Sequence, residues 1–185
     1  GPIADDAFMD KIEARIISPT VEGLQEEGIR YTGFIFIGLI KVGDDPYVIE
    51  YNVRMGDPET EVVIPRIESD FVSLLQATAQ QRLAQQELKI KEEAAATVML
   101  VSGGYPGSYE KGHRISGLNR FEDVVVYHAV TRLDENGKVV TNGGRVLSVT
   151  GFGKDFRKAL ERSYENISRI EFRDCYFRRD IGFDL

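Results

Sequence analysis

A polar stretch in the middle of the chain separates two halves whose hydrophobic patterns differ. It runs from Gln80 to Glu93 and is dominated by Gln, Glu and other polar or charged residues. A shift of composition like this is typical of a domain boundary, so we expect one domain over residues 1–90 and another over residues 94–185. The total of 185 residues is enough for one ordinary domain or two small ones.

The first half begins with a pattern that predicts a helix followed by a β-hairpin. Apolar residues recur at helical spacing from Phe8 to Leu24, where Pro19 is expected to kink or break the helix. Gly28 is expected to end it. Residues 34–42 and 47–54 read as two strands joined by turn-forming residues, which indicates a hairpin.

A second helix is expected over residues 70–83, just before the polar stretch, with Ser69 as its candidate N-cap. Its apolar stripe is predicted to face inward. The stripe consists of Phe71, Leu74, Leu75, Thr78, Ala79 and Leu83.

The second half is predicted to be rich in strands. Runs of β-branched residues cover 95–102, 124–132 and 139–150, and Asn136-Gly137 between two of them is a strong hairpin signal. A final helix is expected over residues 154–169. Both halves together indicate an α+β protein.

Charge and cysteine content exclude several classes of function. The formal net charge of −7 argues against non-specific nucleic-acid binding, which needs a surplus of Lys and Arg facing phosphates. The single cysteine, Cys175, cannot form an intrachain disulfide, and we expect it to be buried and inert in a reducing, cytoplasmic environment. No apolar run is long enough to span a membrane, and no signal-peptide pattern is present. The Gly1-Pro2 start suggests a cloning remnant or an internal cut.

The strand over residues 47–54 carries the most informative polar pattern. Alternation places Tyr47, Ile49, Tyr51 and Val53 toward a core. The opposite face then holds Glu50, Asn52 and Arg54. A carboxylate beside an amide oxygen suits Mg²⁺, and a guanidinium suits a phosphate, although a solvated hairpin face has the same alternation. Gly56 allows a turn or a close approach to a ligand, and Asp57 and Glu59 follow on a loop where Asp57 could receive an amine.

The run from Glu50 to Glu59 resembles the Glu-Tyr-Asn-x-Arg-x-Gly-Asp-Pro-Glu motif of purine-pathway ATP-grasp ligases. Further segments, in order along nearly the whole chain, are similar to the glycinamide ribonucleotide synthetase family. These are residues 31–34, 103–109, 127–131, 143–150 and 178–182. The resemblance implies the second half of an ATP-grasp core, an antiparallel sheet with helices, followed by a small β-rich domain with one closing helix.

The resemblance also implies substrates and residue roles. The substrates would be ATP, glycine and 5-phosphoribosylamine, with Mg²⁺ or Mn²⁺ as the metal. Glu50 and Asn52 match the metal ligands of the family, and Arg54 would join them in binding ATP phosphates. Arg54 and Asp57 would be catalytic, while Gly56, Asp57 and Glu59 would line the substrate site. Arg178 near the ribose phosphate is a hypothesis, with a simple ion pair as the alternative.

Some segments of the family have no counterpart among these residues, and this leads to further expectations. The family's lid lysines and its glycine-rich segment are not among these residues, so we expect this chain alone to be inactive. An apolar face left open would favour self-association. Two other interpretations are a ligase of the same superfamily acting on another acid, and a non-catalytic β-rich interaction module.

Three smaller features have simple structural interpretations. The glycines between Gly103 and Gly107 are expected to form a turn rather than a phosphate cradle. We expect His113 to be solvated in a charged loop. His128 is expected to be a hydrogen-bonded core residue rather than a base.

Overall fold

The structure is a computed structural model that describes residues 4–119, 121–183 and 185. The described part forms two compact units. One unit comprises residues 4–56 and 70–87 with Leu185, and the other comprises residues 57–69 and 88–183 apart from Arg120. The Gly1-Pro2 start lies outside the described residues.

The first unit opens with one long helical segment. Helix α1 (Asp6–Ile12) continues through a π-helical turn (Glu13–Ile17) into helix α2 (Ser18–Glu26). The chain stays helical through Pro19, so of the predicted kink or break the break does not occur, and the kink stays a prediction. This proline sits in the first turn of α2, directly after the wider π turn. The helix ends as expected just before Gly28, which adopts a φ of +69°.

The predicted hairpin is confirmed as strands β1 (Phe36–Val42) and β2 (Asp45–Asn52), which pair antiparallel. The register shifts between Gly38 and Leu39, so that Ile49 is an extra residue on β2. Such a bulge interrupts strict alternation along the strand.

The apolar face expected for β2 is not a buried core in this unit. Tyr47, Ile49, Tyr51 and Val53 are each at least half exposed, and Val53 reaches 77%. The prediction assumed that side chains alternate strictly along β2 and that another element packs on their apolar face. The bulge at Ile49 breaks the alternation, and no element within the described residues of the unit buries these four side chains.

The hairpin is followed by a short helix α3 (Thr60–Val63) in the second unit and then by helix α4 (Phe71–Ala79) in the first. The N-cap of α4 is Asp70, whose carboxylate accepts from the Ser73 N–H at 2.6 Å. The expectation of Ser69 was wrong because the Ser69 hydroxyl accepts from the Lys89 N–H instead, at 2.8 Å. The Asp70 carboxylate also suits the N-cap position, because a negatively charged acceptor is favourable at a helix N-terminus.

Helix α4 is shorter than predicted and buries a narrower stripe. It ends at Ala79, and Gln81 just beyond adopts a left-handed φ of +56°. Its buried residues are Leu74 and Ala77, whereas Leu75 is 40% exposed and Leu83 is 49% exposed. Leu83 lies in a separate 3₁₀ turn, which removes it from the helical face.

The second unit contains the predicted strands as two small sheets. Its strands are β3 (Ala94–Val101), β4 (Val124–His128), β5 (Thr131–Leu133), β6 (Val139–Thr141) and β7 (Arg145–Gly153). The order β3-β7-β4 makes β7 the central strand of a fully antiparallel sheet. Strands β5 and β6 pair across the Asn136-Gly137 turn, which confirms the predicted hairpin.

The closing helix α5 (Phe156–Ile167) packs on one face of this sheet and forms the core of the unit. Leu100 and Leu147 from the strands and Ile167 from the helix are almost fully buried there. Gly151 allows the close approach, because a Cβ at this position would lie 2.3 Å from the Ala159 carbonyl oxygen. The helix is capped by Asp155, whose side chain accepts from the Lys158 N–H at 2.8 Å.

The substitution Leu100→Ala should destabilise the second unit by about 2–5 kcal/mol, because it leaves a cavity in a fully buried part of the core. The matched control is Leu133→Ala in the same unit, where the side chain is 65% exposed and the effect should stay within about 0.5 kcal/mol. Urea unfolding curves of both variants measure the difference. Equal effects at the two positions would contradict this assignment of the core.

Candidate functional site

Glu50 and Asn52 project together from the end of β2 in the first unit. The Asn52 side-chain amide donates to the Glu50 carboxylate at 3.1 Å. Glu50 is exposed and Asn52 is half-buried, so ligands can reach both groups. The contact places a carboxylate and an amide side by side, as the alternation along the strand predicted.

This pair fits a hard divalent cation that takes its other ligands from phosphate and water. Within the described ranges, no cluster of three or more His, Cys, Asp or Glu residues could hold a metal unaided. Mg²⁺ is commonly bound by one or two protein oxygens together with substrate phosphates, and it does not require a closed protein cage. Glu50 and Asn52 are therefore a suitable donor set for a metal–nucleotide complex.

Arg54 and Gly56 follow the pair along the chain. The Arg54 guanidinium donates to the Met55 carbonyl at 2.9 Å, so it lies folded along its own segment. Arg54 is exposed, while Gly56 is buried. An exposed guanidinium held by one neutral carbonyl keeps most of its donors available for a phosphate or carboxylate oxygen.

Asp57 belongs to the second unit and contacts Arg145, a residue for which the sequence predicted no role. The Arg145 guanidinium lies 3.1 Å from both the Asp57 carboxylate and the Asp57 carbonyl oxygen. Glu59 is exposed at the start of α3, where its carbonyl accepts from Val63. Arg145 stands in the Gly-Gly-Arg run that carried part of the resemblance, and only the fold shows that it contacts Asp57.

Glu61 is a second residue without a predicted role, and its environment is unusual. Burial raises the pKa of its carboxyl above the ordinary value, and the negative charge of Asp57 adds to this rise. The Ser148 hydroxyl and the Arg145 charge oppose the rise in pKa. Burial and the charge of Glu61 also raise the pKa of Tyr127.

Two polar atoms in this environment lack an aligned hydrogen-bond partner among the described residues. They are Glu61 Oε2 and Ser148 Oγ, both fully buried. The Ser148 hydroxyl is close enough to favour the Glu61 carboxylate, yet the pair does not reach hydrogen-bond geometry. The backbone of Glu61 is held more firmly, since the Thr150 hydroxyl donates to its carbonyl at 3.1 Å.

A cavity of about 580 Å³ lies within the first unit, and Asn52 is one of its lining residues. Most of the wall is apolar and comes from the helical segment and β2, including Leu24 and Val53. The Thr20 and Tyr51 hydroxyls meet across it at 3.0 Å. One member of the carboxylate–amide pair therefore borders a largely apolar space.

Arg178 forms a bidentate ion pair with Asp180, at 2.9 and 3.0 Å. The pair lowers the pKa of Asp180. The neighbouring Arg179 guanidinium lies over the Phe177 ring at 4.8 Å. The ion pair raised as an alternative for Arg178 is thus present in the fold.

Cys175 is half-buried rather than fully buried as expected. Burial still raises its pKa to about 11, which favours the unreactive thiol form. His113 is less solvated than expected, because its ring lies 3.2 Å from Glu110 and only 20% of its side chain is exposed. His128 is exposed rather than in the core, and its ring shares a hydrogen bond of 2.8 Å with Thr131 at a strand end. The expected turn after Gly103 is confirmed: a Cβ on Gly104 would lie 2.1 Å from the Ser108 carbonyl oxygen.

The antiparallel sheets with their helices define an α+β fold. A solved biotin carboxylase domain of the Hydrogenobacter thermophilus 2-oxoglutarate carboxylase, in complex with MgADP and bicarbonate, shares this fold. Its TM-score is 0.58 at 16% identity, and it covers 89% of this chain and 37% of its own.

Comparison with known families makes the assignment specific. The ATP-grasp (A) domain of phosphoribosylglycinamide synthetase matches residues 1–60, and the C domain of the same enzyme matches residues 95–184. The chain belongs to the phosphoribosylglycinamide synthetase family. None of the helices in the described part is long and apolar enough to cross a membrane.

Individual relatives agree with the family match. A phosphoribosylamine–glycine ligase of Synechocystis is 44% identical over 98% of this chain, and one of Chlorobaculum tepidum is 43% identical over 98%. A crystal structure of phosphoribosylamine–glycine ligase from Thermotoga maritima has a TM-score of 0.84 at 34% identity, covering 97% of this chain and 44% of its own. The chain spans less than half the length of these relatives.

Glu61→Gln should stabilise the second unit at neutral pH. A folded-state pKa raised above the unfolded value means that the protonated carboxyl stabilises the fold. That stability is complete below the unfolded pKa of about 4.3 and is lost as pH rises through the folded pKa. Glutamine keeps the neutral shape, so unfolding free energies from urea curves should favour the variant at about pH 7.5 and converge with the parent at about pH 4.

The control for this prediction is Glu161→Gln, which removes an exposed carboxylate that accepts from Lys158 at 2.8 Å. Exposed pairs of this kind contribute little to stability at any pH. Loss of stability in Glu61→Gln at neutral pH would contradict the prediction and would show that the charged carboxylate is well accommodated.

Proposed function

We propose that the protein carrying this chain joins glycine to 5-phosphoribosylamine, using ATP and releasing glycinamide ribonucleotide, ADP and phosphate. The observation that carries the proposal is the adjacent pair Glu50 and Asn52, within a chain that matches the A and C domains of the phosphoribosylglycinamide synthetase family in order. Relatives named phosphoribosylamine–glycine ligase support the choice of substrates.

The proposed reaction has two steps that balance without a further reactant. A glycine carboxylate oxygen bonds to the γ-phosphorus of ATP, and the bond to ADP breaks, which gives glycyl phosphate. The amine nitrogen of phosphoribosylamine then bonds to the glycyl carbon, phosphate leaves and the amine loses a proton. Catalysis of such steps consists mainly of positioning and charge neutralisation.

The residues on β2 and beyond it suit these two tasks. We assign Glu50 and Asn52 as ligands of Mg²⁺ or Mn²⁺, which when bound would neutralise phosphate charge. Arg54 is assigned to the ATP phosphates and the transferring phosphoryl group, since its guanidinium is exposed. Asp57 is assigned to the amine, because its carboxylate reaches solvent beside Arg145.

The remaining assignments follow the family match. Gly56 and Glu59 are proposed to line the substrate site with Asp57, and Arg178 to lie near the ribose phosphate. We also propose that residues 1–90 are the second half of the ATP-grasp domain and that residues 94–185 are the C-terminal domain, as the matched ranges suggest. The exposed apolar residues of β2 support self-association of the 185-residue chain.

The 185 residues alone should not release ADP when supplied with ATP, Mg²⁺, glycine and phosphoribosylamine. The reason is that the relatives are more than twice as long, so these residues lack over half of a relative's structure. A coupled assay for ADP on the isolated chain and on a full-length relative measures this. Turnover by the isolated chain at the rate of the full-length relative would refute the proposal of inactivity, whereas a full-length protein that is inactive with these substrates would refute the proposed function.

In a full-length protein containing this chain, Glu50→Ala should lower kcat by about 100-fold or more and raise the Mg²⁺ concentration needed for half-maximal rate. The loss of one of two protein oxygens weakens the hold on the metal without removing the nucleotide site. The control is Glu22→Gln on the exposed side of α2, which should leave both quantities unchanged. An unaltered Mg²⁺ dependence in Glu50→Ala would exclude Glu50 as a metal ligand.

A further inference from the structure

The Arg145 guanidinium holds two different atoms of Asp57, and both residues lie within the second unit. Its Nη1 nitrogen donates to the carboxylate oxygen Oδ1 and to the carbonyl oxygen of Asp57, at 3.1 Å each. A terminal guanidinium nitrogen carries two N–H groups, so one nitrogen can make both bonds. The two bonds fix the Asp57 carboxylate relative to its own backbone, because a single donor atom anchors both.

The contact leaves the Asp57 carboxylate open to a ligand. Arg145 bonds the oxygen Oδ1, and 59% of the Asp57 side chain is exposed, compared with 37% of the Arg145 side chain. Exposed ion pairs contribute little to folding stability. The contact is therefore better suited to orienting a carboxylate for a partner from solution than to stabilising the fold.

The backbone from which Arg145 projects is itself held in place. Ser102 is only 3% exposed, its hydroxyl donates to the Gly143 carbonyl at 2.8 Å, and its N–H donates to the Gly144 carbonyl at 2.8 Å. Glycine is required directly before Arg145, since a Cβ on Gly144 would lie 2.1 Å from the Tyr105 ring. Contacts from distant parts of the chain thus fix the point at which Arg145 leaves the strand.

A bulge in β7 directs Arg145 toward the segment that follows Gly56. Strict alternation would place Arg145 on the face of Leu147 and Val149, which are buried in the core. The pairing with β3 shifts register at this point, so that Val146 is an extra residue on β7. Bulges of this kind re-aim side chains and are common next to active sites.

Strand β7 holds the segment after Asp57 at a second point. The Thr150 hydroxyl donates to the Glu61 carbonyl at 3.1 Å, and the Glu61 N–H donates to the Pro58 carbonyl at 3.1 Å. The segment is thus held at Asp57 by Arg145 and at Glu61 by Thr150. Functional groups need supports of this kind, because a displacement of about 1 Å from the productive geometry is costly to catalysis.

We propose that Arg145 is a positioning residue for the ligation: its guanidinium fixes the Asp57 carboxylate in the orientation in which it meets the substrate amine. This inference rests on the proposed function, which assigns Asp57 to the amine and gives Arg145 no role. Arg145 acts through Asp57 and does not touch the reacting atoms.

Steady-state kinetics of a full-length protein that contains this chain test the inference. Arg145→Ala should lower kcat/KM for phosphoribosylamine by about 10- to 100-fold, because the Asp57 carboxylate loses its fixed orientation. The KM for ATP should change by less than about two-fold, since Asp57 is not assigned to the nucleotide. The control is Arg132→Ala, which removes an exposed guanidinium that donates to the Leu133 carbonyl and should behave as the parent.

A double-mutant cycle with Asp57→Ala separates positioning from a general structural role. Because Arg145 acts through the Asp57 carboxylate, Arg145→Ala should cost less than about three-fold in kcat/KM once Asp57 is already alanine. A residue that only supports the fold would lower the active fraction equally in both backgrounds, and the two losses would then multiply.

Arg145→Met provides a second variant that preserves more of the packing. Methionine keeps an apolar stem at this position and removes the N–H donors. Urea unfolding curves show which variants fold, and the cycle is read from those that do. The same pattern is expected for methionine, with a large loss when Asp57 is present and a small one when Asp57 is alanine.

The outcomes distinguish the inference from the function on which it rests. An active parent in which folded Arg145 variants keep full activity, or in which the losses at Arg145 and Asp57 multiply, would overturn the inference alone. Full activity of Asp57→Ala would overturn the assignment of Asp57 to the amine together with this inference. A full-length parent that does not form glycinamide ribonucleotide would overturn the proposed function and the inference with it.

Discussion

Strand β7 is the element on which the second unit depends. It hydrogen-bonds to β3 on one side and to β4 on the other, so both edge strands of this sheet are held by β7. Its two faces serve different purposes. Leu147 and Val149 are buried against the core under α5, while Ser148 and Thr150 face helix α3. The packing of a core and the support of a polar site therefore rest on one run of nine residues.

Side chains of β7 hold the segment after Gly56 through hydrogen bonds. Arg145 contacts the side chain and the carbonyl of Asp57, and Thr150 holds the carbonyl of Glu61. Side chains attached to a central strand are precise supports, because the strand is constrained by neighbours on both sides.

The first unit illustrates the opposite arrangement. Its hairpin leaves Ile49 and Val53 largely exposed, although their residue types are typical of a buried strand face. A two-stranded hairpin with this much exposed apolar surface is only marginally stable by itself. Stable sheets have more strands or another element packed on their apolar face. The Glu50–Asn52 contact on the same strand is nevertheless formed, because it requires only local alternation.

Local rules predicted much of the fold, and their failures have identifiable causes. Asn136-Gly137 predicted a hairpin because a tight turn with positive φ requires such residues, and Gly137 indeed has a φ of +70°. The N-cap of α4 was misassigned by one residue, since Ser69 and Asp70 are both good caps and the choice depended on Lys89, which is 20 residues away. Pro19 did not break its helix because a π turn precedes it, and the apolar pattern does not reveal that turn.

The same distinction holds for the candidate site. The sequence by itself determined the strand that carries Glu50 and Asn52, because side-chain direction along a strand follows from a period of two residues. Only the tertiary structure decided that Arg145 meets Asp57, 88 residues earlier in the chain, and that one carboxylate oxygen of Glu61 is buried. The physical reason is that burial and long-range charge pairing depend on which surfaces pack together. No local pattern of residues encodes which surfaces these are.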